Sequence, residues 1–342
     1  MVGDDAEQAT PHEAEVRFSA GEATLVGTLT VPALAPGVGT DSRDRRHPSV
    51  LLLGSWLPRD RDGRLDHVAH PGWFDAGAAT SAGLLARIAH ALAGHGVASL
   101  RYDKRGCGAS EGRWEAADWF TLIDDARDAI GFLRSRRELD LARTGIVGHG
   151  EGAAIALSVA IGDPGVGALT LVGGAARSFR DVFRRQVAAR RRRPMRQVRD
   201  PLIAALDRWS EDIIERADRR EDAFELRVSA APGAGVDPVR LSLAAWHQAF
   251  QTPPLALATM LHRSVSVVHG AADTWASVDE ARILDHMLRD AGNEPQLRVV
   301  AGAGHDLAEA PDPTIDELAA DIAARLLPRA LPPVLLAIDE MA

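Results

Sequence analysis

Apolar positions in this chain come as short strand-like runs separated by stretches of helical period. Glu15–Ser19 and Thr24–Val31 are β-branched runs around Gly21 and predict an antiparallel pair at a sheet edge. Val50–Leu53 is a short uninterrupted apolar run, as a buried parallel strand requires. Val97–Tyr102, Ile146–Val147, Ala168–Val172, Val265–Val268 and Leu297–Val300 predict further strands. Thr80–Ala93, Trp119–Arg134, Ala153–Ala160, Val278–Asp290 and Ile315–Leu327 predict the helices between them, the first stopping at Gly94-His95-Gly96. Strands alternating with helices define an α/β protein with a mostly parallel sheet covered on both faces.

The interval 176–258 breaks the rhythm. Its helical patterns (Ser178–Ala189, Pro201–Ala217, Pro238–Ala249) and lack of a clear strand predict a helical lid inserted after the sixth strand. It would lie over the carboxyl edge of the sheet, where ligands bind in such folds. The core is then 13–175 and 259–327, with a loop at 32–47, a disordered N-terminus at 1–12 and an unassigned tail at 328–342.

Composition narrows the function classes. Of 342 residues, 46% are apolar and 25% charged, ordinary for a globular protein with a sizeable core. A net charge of −9 offers no global basic field for nucleic acid. No apolar stretch approaches membrane-span length and no apolar leader follows Met1, so neither a membrane nor an export route is expected. The single Cys107 excludes an internal disulfide and fits a reducing cytoplasm. Basic charge is almost all arginine; the only tyrosine, lysine and cysteine are Tyr102, Lys104 and Cys107.

Candidate chemistry centres on Gly148-His149-Gly150-Glu151-Gly152, a tight turn between an apolar strand and a small-residue helix. That is the strand–elbow–helix context of G-x-S-x-G, with Gly150 at the position of the nucleophile. Other segments stand in register with it: 54–63 after the third strand, 101–110 after the fourth, His269–Asp273, and Gly302–His305. Together they resemble the α/β-hydrolase superfamily, most closely a bacterial esterase/peptidase-like branch, over roughly residues 14–327. The resemblance implies that Asp273 orients His305, which acts as general base or acid. It also implies an oxyanion hole from the Glu151 N–H and a second donor at Ser55 or Trp56. Bulky Trp56 stands where that family usually has glycine, and Gly150 has no side-chain oxygen.

A dyad and an oxyanion hole without a nucleophile suit proton abstraction beside a carbonyl. The favoured expectation is therefore a lyase: β-elimination of a carboxylate such as acetate, or dehydration or cyclisation, on a hydrophobic small molecule. Lyases of bacterial biosynthetic pathways among α/β-hydrolase relatives suggest secondary metabolism, polyketides included, as the setting. The alternatives are an esterase or thioesterase whose serine was mutated to Gly150, a hydrolase using His305-activated water, and a non-catalytic binding protein.

Trp275, Trp73, Trp209, Trp246 and His149 are candidates to line the substrate pocket. Cys107 reads as a structural thiol, Ser55 and Ser110 as loop hydrogen-bonders, and Arg101, Asp103 and Arg105 as an ion-pair network. His67 and His70 lack a convincing third ligand, so no metal is expected, and no nucleotide loop or cofactor lysine predicts a cofactor. Nine arginines between 180 and 199 read either as a solvated helix face or as a landing patch for an anionic partner such as an acyl carrier protein.

Overall fold

The computed structural model describes residues 10–33, 46–66, 83–192, 201–226 and 239–326. Trp73, His67, His70, Arg193, Arg196, Arg199, most of the 1–12 and 32–47 segments and the 328–342 tail lie outside the described residues.

An eight-stranded sheet forms the centre. It is built from β1 (His12–Ala20), β2 (Ala23–Val31), β3 (His47–Leu53), β4 (Ala98–Tyr102), β5 (Leu139–His149), β6 (Val166–Val172), β9 (Ser264–Gly270) and β10 (Gln296–Val300). Their order is β1-β2-β4-β3-β5-β6-β9-β10. β1 pairs with β2 and β2 with β4 antiparallel; every other pair is parallel. The expected edge hairpin is present, with His12 already in the first strand.

Alternation along the strands explains the two cores. On β3, Leu51 and Leu53 face one side and Val50 and Leu52 the other. The first side packs α2 (Trp119–Ser135), α3 (Glu151–Gly162) and α9 (Val278–Asp290) through Ile130, Ile155 and Leu284. The second packs α1 (Leu84–Gly94) and α10 (Asp312–Leu326) through Ile88 and Ile322. Both faces are covered, as continuous apolar strands demand.

The insertion after β6 holds α4 (Phe179–Arg191), α5 (Pro201–Arg208), α6 (Ser210–Asp218), α7 (Leu243–Gln251) and α8 (Pro254–Ala258). It is not all helical. β7 (Ala223–Leu226) and β8 (Val239–Ser242) pair antiparallel, so the helix expected from Pro238 begins only at Leu243. The helix expected over 201–217 breaks at Trp209. The insertion has its own apolar centre, which includes Phe183, Ile213, Leu241 and Trp246 and reaches the core at Trp56 and Cys107. Among the lid arginines, Arg190 clamps Asp207 through three hydrogen bonds and Arg180 pairs with Asp218. Those two tie lid helices together. No described helix is long and apolar enough to cross a membrane.

One buried acid ties the start of the lid to the core. Glu280 on α9, 2% exposed, accepts from the backbone N–H of Ala176 (3.2 Å) and Arg177 (3.1 Å) and pairs with the Arg177 guanidinium. Glu280→Ala strands two backbone donors and a cation. We expect a loss of about 3 kcal/mol in urea unfolding, at the low end for a broken buried pair because Arg177 keeps 27% exposure.

Candidate active site

Four loops at the carboxyl edge of the sheet build the site. The first is the elbow. β5 ends at His149, Gly150 adopts φ 58° and ψ −114°, and α3 starts at Glu151. Positive φ favours glycine here, and the surroundings demand it: a Cβ on Gly150 would stand 2.1 Å from Ser55 Oγ and 2.9 Å from both Ser55 Cβ and His305 Nε2. At Gly152 a Cβ would meet the Leu53 carbonyl oxygen at 2.6 Å, so only glycine lets α3 pack this close to β3.

The second loop follows β9. Asp273 Oδ1 accepts from the N–H of Trp275 (2.7 Å) and Ala276 (2.9 Å). Its Oδ2 lies 2.8 Å from His305 Nδ1 and 3.2 Å from His269 Nε2. The third loop follows β10 and carries His305. The two loops are laced together by the Ala271 N–H on the Val300 carbonyl and the Ala272 N–H on the Ala303 carbonyl, both at 2.9 Å.

Burial opposes charge on both partners, yet the pair wins. Burial lowers the His305 pKa, but the Asp273 charge and hydrogen bond outweigh it and leave the imidazole raised. Burial also raises the Asp273 carboxyl, and the facing histidines and backbone donors carry it well below its ordinary range. A carboxylate only accepts, so Nδ1 of His305 holds a proton and the Nε2 lone pair is left toward the cleft.

That lone pair meets a hydroxyl: Ser55 Oγ lies 3.3 Å from His305 Nε2. Ser55 follows β3 in a loop held from several sides. Arg59 donates to the carbonyls of Trp56 (3.1 Å) and Gly63 (2.6 Å), and Asp60 Oδ1 accepts from the N–H of Asp62 and Arg64. Leu57 sits at φ 75°, a costly region for a branched residue that the loop's ties must hold in place. Lys104 Nζ donates to the Ser55 carbonyl (3.1 Å) and to Glu151 Oε2 (2.7 Å), joining this loop to the elbow. A trans peptide carries its N–H opposite its C=O. Lys104 therefore turns the Trp56 N–H away from itself and polarises it. Among the described residues neither the Trp56 nor the Glu151 N–H has a protein acceptor.

Above these groups lies a cavity with about 760 Å³ of space free of protein atoms, part of it open to solvent. Ser55, Gly150, Glu151 and His305 form its floor, and Trp56, Trp119, Phe179, Trp246 and Trp275 its aromatic wall. Trp56 stands edge-on to Trp246 and Trp275, with ring centroids 5.5 Å apart in each case.

A family model described as serine aminopeptidase, S33, matches residues 75–312, more than half of the chain and inclusive of the elbow, Asp273 and His305. The chain belongs to this S33 family of α/β hydrolases. A search of the curated proteins finds none that matches it. Among solved structures it is similar to the α/β hydrolase GrgF from Penicillium sp. sh18, with 17% identity, TM-score 0.59, and 92% of this chain and 98% of that one covered. It is also similar to Est1E from Butyrivibrio proteoclasticus with ferulic acid bound, with 13% identity, TM-score 0.60, and 91% and 98% covered. A third is the Pyrococcus furiosus esterase PF2001, with 13% identity, TM-score 0.57, and 95% of each chain covered. At these identities the likeness is one of fold.

In this S33-family chain the structure brings His305, Asp273, Gly150, Glu151, Ser55, Trp56, Trp275 and Trp246 to one cleft. Two expected pocket residues lie elsewhere. His149 is 1% exposed and sits behind the base, its ring 4.7 Å from that of His305 and its Nε2 3.1 Å from the His305 carbonyl. Burial, with the neighbouring His305 charge second, carries its pKa down to about 3, so it packs there as a neutral ring. Trp209 is 41% exposed at the α5–α6 break and packs on Phe224, away from the cavity. Sequence reasoning missed Trp119, Phe179 and Arg177 in the wall and Lys104 beneath the floor.

Cys107 is 1% exposed and burial pushes its thiol up to about 12, so it is inert at neutral pH. Arg101, Asp103 and Arg105 do form ion pairs, though each with an outside partner: Asp62 and Glu13, Arg61, and Asp125 respectively. One potential metal-ligand atom from each of His149, His305 and Asp306 falls within 4.8 Å of the others. Positive charge already reaches that corner, because Arg59 lies 3.5 Å from Asp306.

Two outcomes follow from this geometry. A base works only when neutral, so kcat/KM should be low in acid and rise as pH passes a midpoint above the ordinary 6.5 of histidine. Asp273→Asn should move that midpoint down and lower kcat by about 10⁴-fold, as read from a pH series on a short-chain p-nitrophenyl ester. Gly150→Ala places a Cβ against Ser55 at unfavourable φ. We expect it to lose about 2–4 kcal/mol of stability in thermal or urea unfolding, where wild-type stability would refute the packing.

Proposed function

We propose that this protein is an esterase-type enzyme that cleaves a carboxylic ester or thioester of a compact, mostly apolar small molecule. One observation carries the reading: the lone pair of the Asp273-backed His305 faces a hydroxyl 3.3 Å away, at the floor of an aromatic-walled cavity beside two unoccupied N–H donors. Trp56 and Glu151 both line the cleft, and Lys104 ties the two segments together through the Ser55 carbonyl and the Glu151 carboxylate. A carbonyl oxygen bound between them gains stabilisation as it becomes an oxyanion; one such donor is worth about 3–4 kcal/mol. The wall favours apolar acyl or alkyl groups, while Arg177, Glu151 and Thr252 give the cavity a few polar points for orientation.

A second reading keeps the same base and donors but expels a carboxylate by β-elimination. It is favoured by Gly150, which leaves the elbow itself without an attacking oxygen. In that reading His305 removes a proton from carbon and the leaving carboxylate keeps both of its oxygens. In the reading of a deliberately removed serine at 150, a Cβ there would stand 2.1 Å from Ser55 Oγ and require that side chain to turn away.

Turnover in ¹⁸O-water separates the two. Ester cleavage at the acyl carbon should place one solvent oxygen in the released acid, read by mass spectrometry. An unlabelled acid released together with an alkene would replace the esterase reading with the lyase. His305→Ala should lower turnover by about 10²-fold or more in either case.

A further inference from the structure

We infer that Ser55, in the loop after β3, is the nucleophile of this site, standing in for the hydroxyl that the elbow lacks. The inference rests on the ester-directed reading above and adds the attacking group to it.

Three observations converge. Ser55 Oγ lies 2.1 Å from the point where a Cβ at position 150 would be built, so it occupies the volume in which an elbow side chain would begin. It is the side-chain oxygen that meets His305 Nε2, at 3.3 Å, while His305 Nδ1 is engaged by Asp273 at 2.8 Å. Ser55, His305 and Asp273 therefore form the hydroxyl–imidazole–carboxylate relay that activates a serine, assembled from the loops after β3, β10 and β9. Finally, the Ser55 backbone is fixed independently of its hydroxyl: Lys104 holds its carbonyl, and Arg59 holds the carbonyl of the following Trp56. Ser55 lines the cavity but is itself 0% exposed, so its side chain must turn toward the cavity for Oγ to meet an acyl carbon.

A loop hydrogen-bonding role would need a backbone partner for Oγ, and among the described residues the hydroxyl has only His305. By contrast, Ser110 spends its hydroxyl on the Val26 N–H (2.9 Å) and the Asp103 carbonyl (2.7 Å). The two serines were alike as sequence features and differ in what they face.

The chemistry balances. Oγ attacks the carbonyl carbon as its proton passes to His305 Nε2, and the carbonyl electron pair moves onto oxygen between the Trp56 and Glu151 N–H groups. Collapse restores the carbonyl and breaks the bond to the leaving oxygen or sulfur, which takes the proton from His305. Water then attacks the Ser55 ester and gives a proton to His305. The acid leaves as the proton returns to Oγ.

The experiment is covalent labelling of the full chain with an alkyl fluorophosphonate, followed by peptide mapping. Phosphonylation forms an Oγ–P bond, expels fluoride and needs the same base. We expect one adduct, on the peptide containing Ser55, absent in Ser55→Ala and slowed about a hundredfold or more in His305→Ala. Ser55→Ala should keep the wild-type melting temperature within a few degrees and lose about a thousandfold or more of its ester turnover. An unlabelled Ser55, or a Ser55→Ala variant within tenfold of wild type, overturns the inference; if esters are still cleaved, His305-activated water does the work and the esterase reading survives. An adduct on Ser55 in a protein that turns over no ester upholds the nucleophile and rejects the esterase reading.

Discussion

The site depends on a competition for one small volume. A Cβ at the elbow and the hydroxyl of Ser55 in its present rotamer cannot both occupy it, because they would stand 2.1 Å apart. Glycine at 150 settles the contest in favour of the loop after β3. The hydroxyl then arrives beside His305 from the loop after β3, which must be as rigid as the elbow it replaces. Much of that loop's bonding follows from this need. Arg59 gathers the carbonyls of Trp56 and Gly63, Asp60 closes its own turn, Arg61 is anchored on Asp103, and Asp62 meets Arg101 of β4. An unheld loop would let Ser55 drift, and misplacement of about 1 Å is enough to forfeit much of the rate.

His149 and His305 show what Asp273 contributes. The two rings lie side by side in the same dry corner. One is driven down to about 3 by burial, with the charge of its neighbour adding to the fall. The other suffers the same burial and still ends raised, because an anion is hydrogen-bonded to Nδ1. The carboxylate can remain ionised there only because two backbone N–H groups and His269 meet it as well. The acid loop is thus a small anion-binding nest that lends its charge to the base.

Much of this was legible in the sequence for a definite reason. Buried parallel strands are apolar without interruption, and glycine-dense turns mark the loops that follow them, so the sheet and the elbow could be placed from pattern, while Asp273 and His305 were singled out by the family resemblance of their loops. The lid was less legible. Ala223–Leu226 and Val239–Ser242 are four-residue strands, too short for a period of two to stand out against a helical background. Trp209 and Trp246 read alike in sequence, but the helix break at 209 turns the first outward while α7 drives the second into the aromatic wall. His149 alternates along β5 toward the far side of the base from the cavity, which no local pattern reveals. Ser55 was visible as a member of the oxyanion loop; that its side chain fills the space vacated at 150 is a fact of two loops meeting, separated by about a hundred residues of chain.

The clustering of the chain's only tyrosine, lysine and cysteine in the loop after β4 has a physical reading in the structure. Each meets a different layer. Tyr102 packs edge-on against Phe18 of β1, 5.7 Å away, and anchors the loop to the sheet edge. Cys107 belongs to the apolar centre shared with the lid. Between them, Lys104 spans the gap from the Ser55 carbonyl to Glu151, the two segments whose N–H groups flank the reacting volume. A flexible ammonium with three donors on a long apolar stem suits this bridge better than arginine's rigid fork, in a chain that otherwise relies on arginine. Lys104 is 8% exposed, so its charge acts on both peptides through little water. It also compensates Glu151, whose carboxylate would otherwise oppose a developing oxyanion at the same helix start. The residue that reconciles an acidic elbow with anionic chemistry therefore lies on a third loop and need not touch substrate.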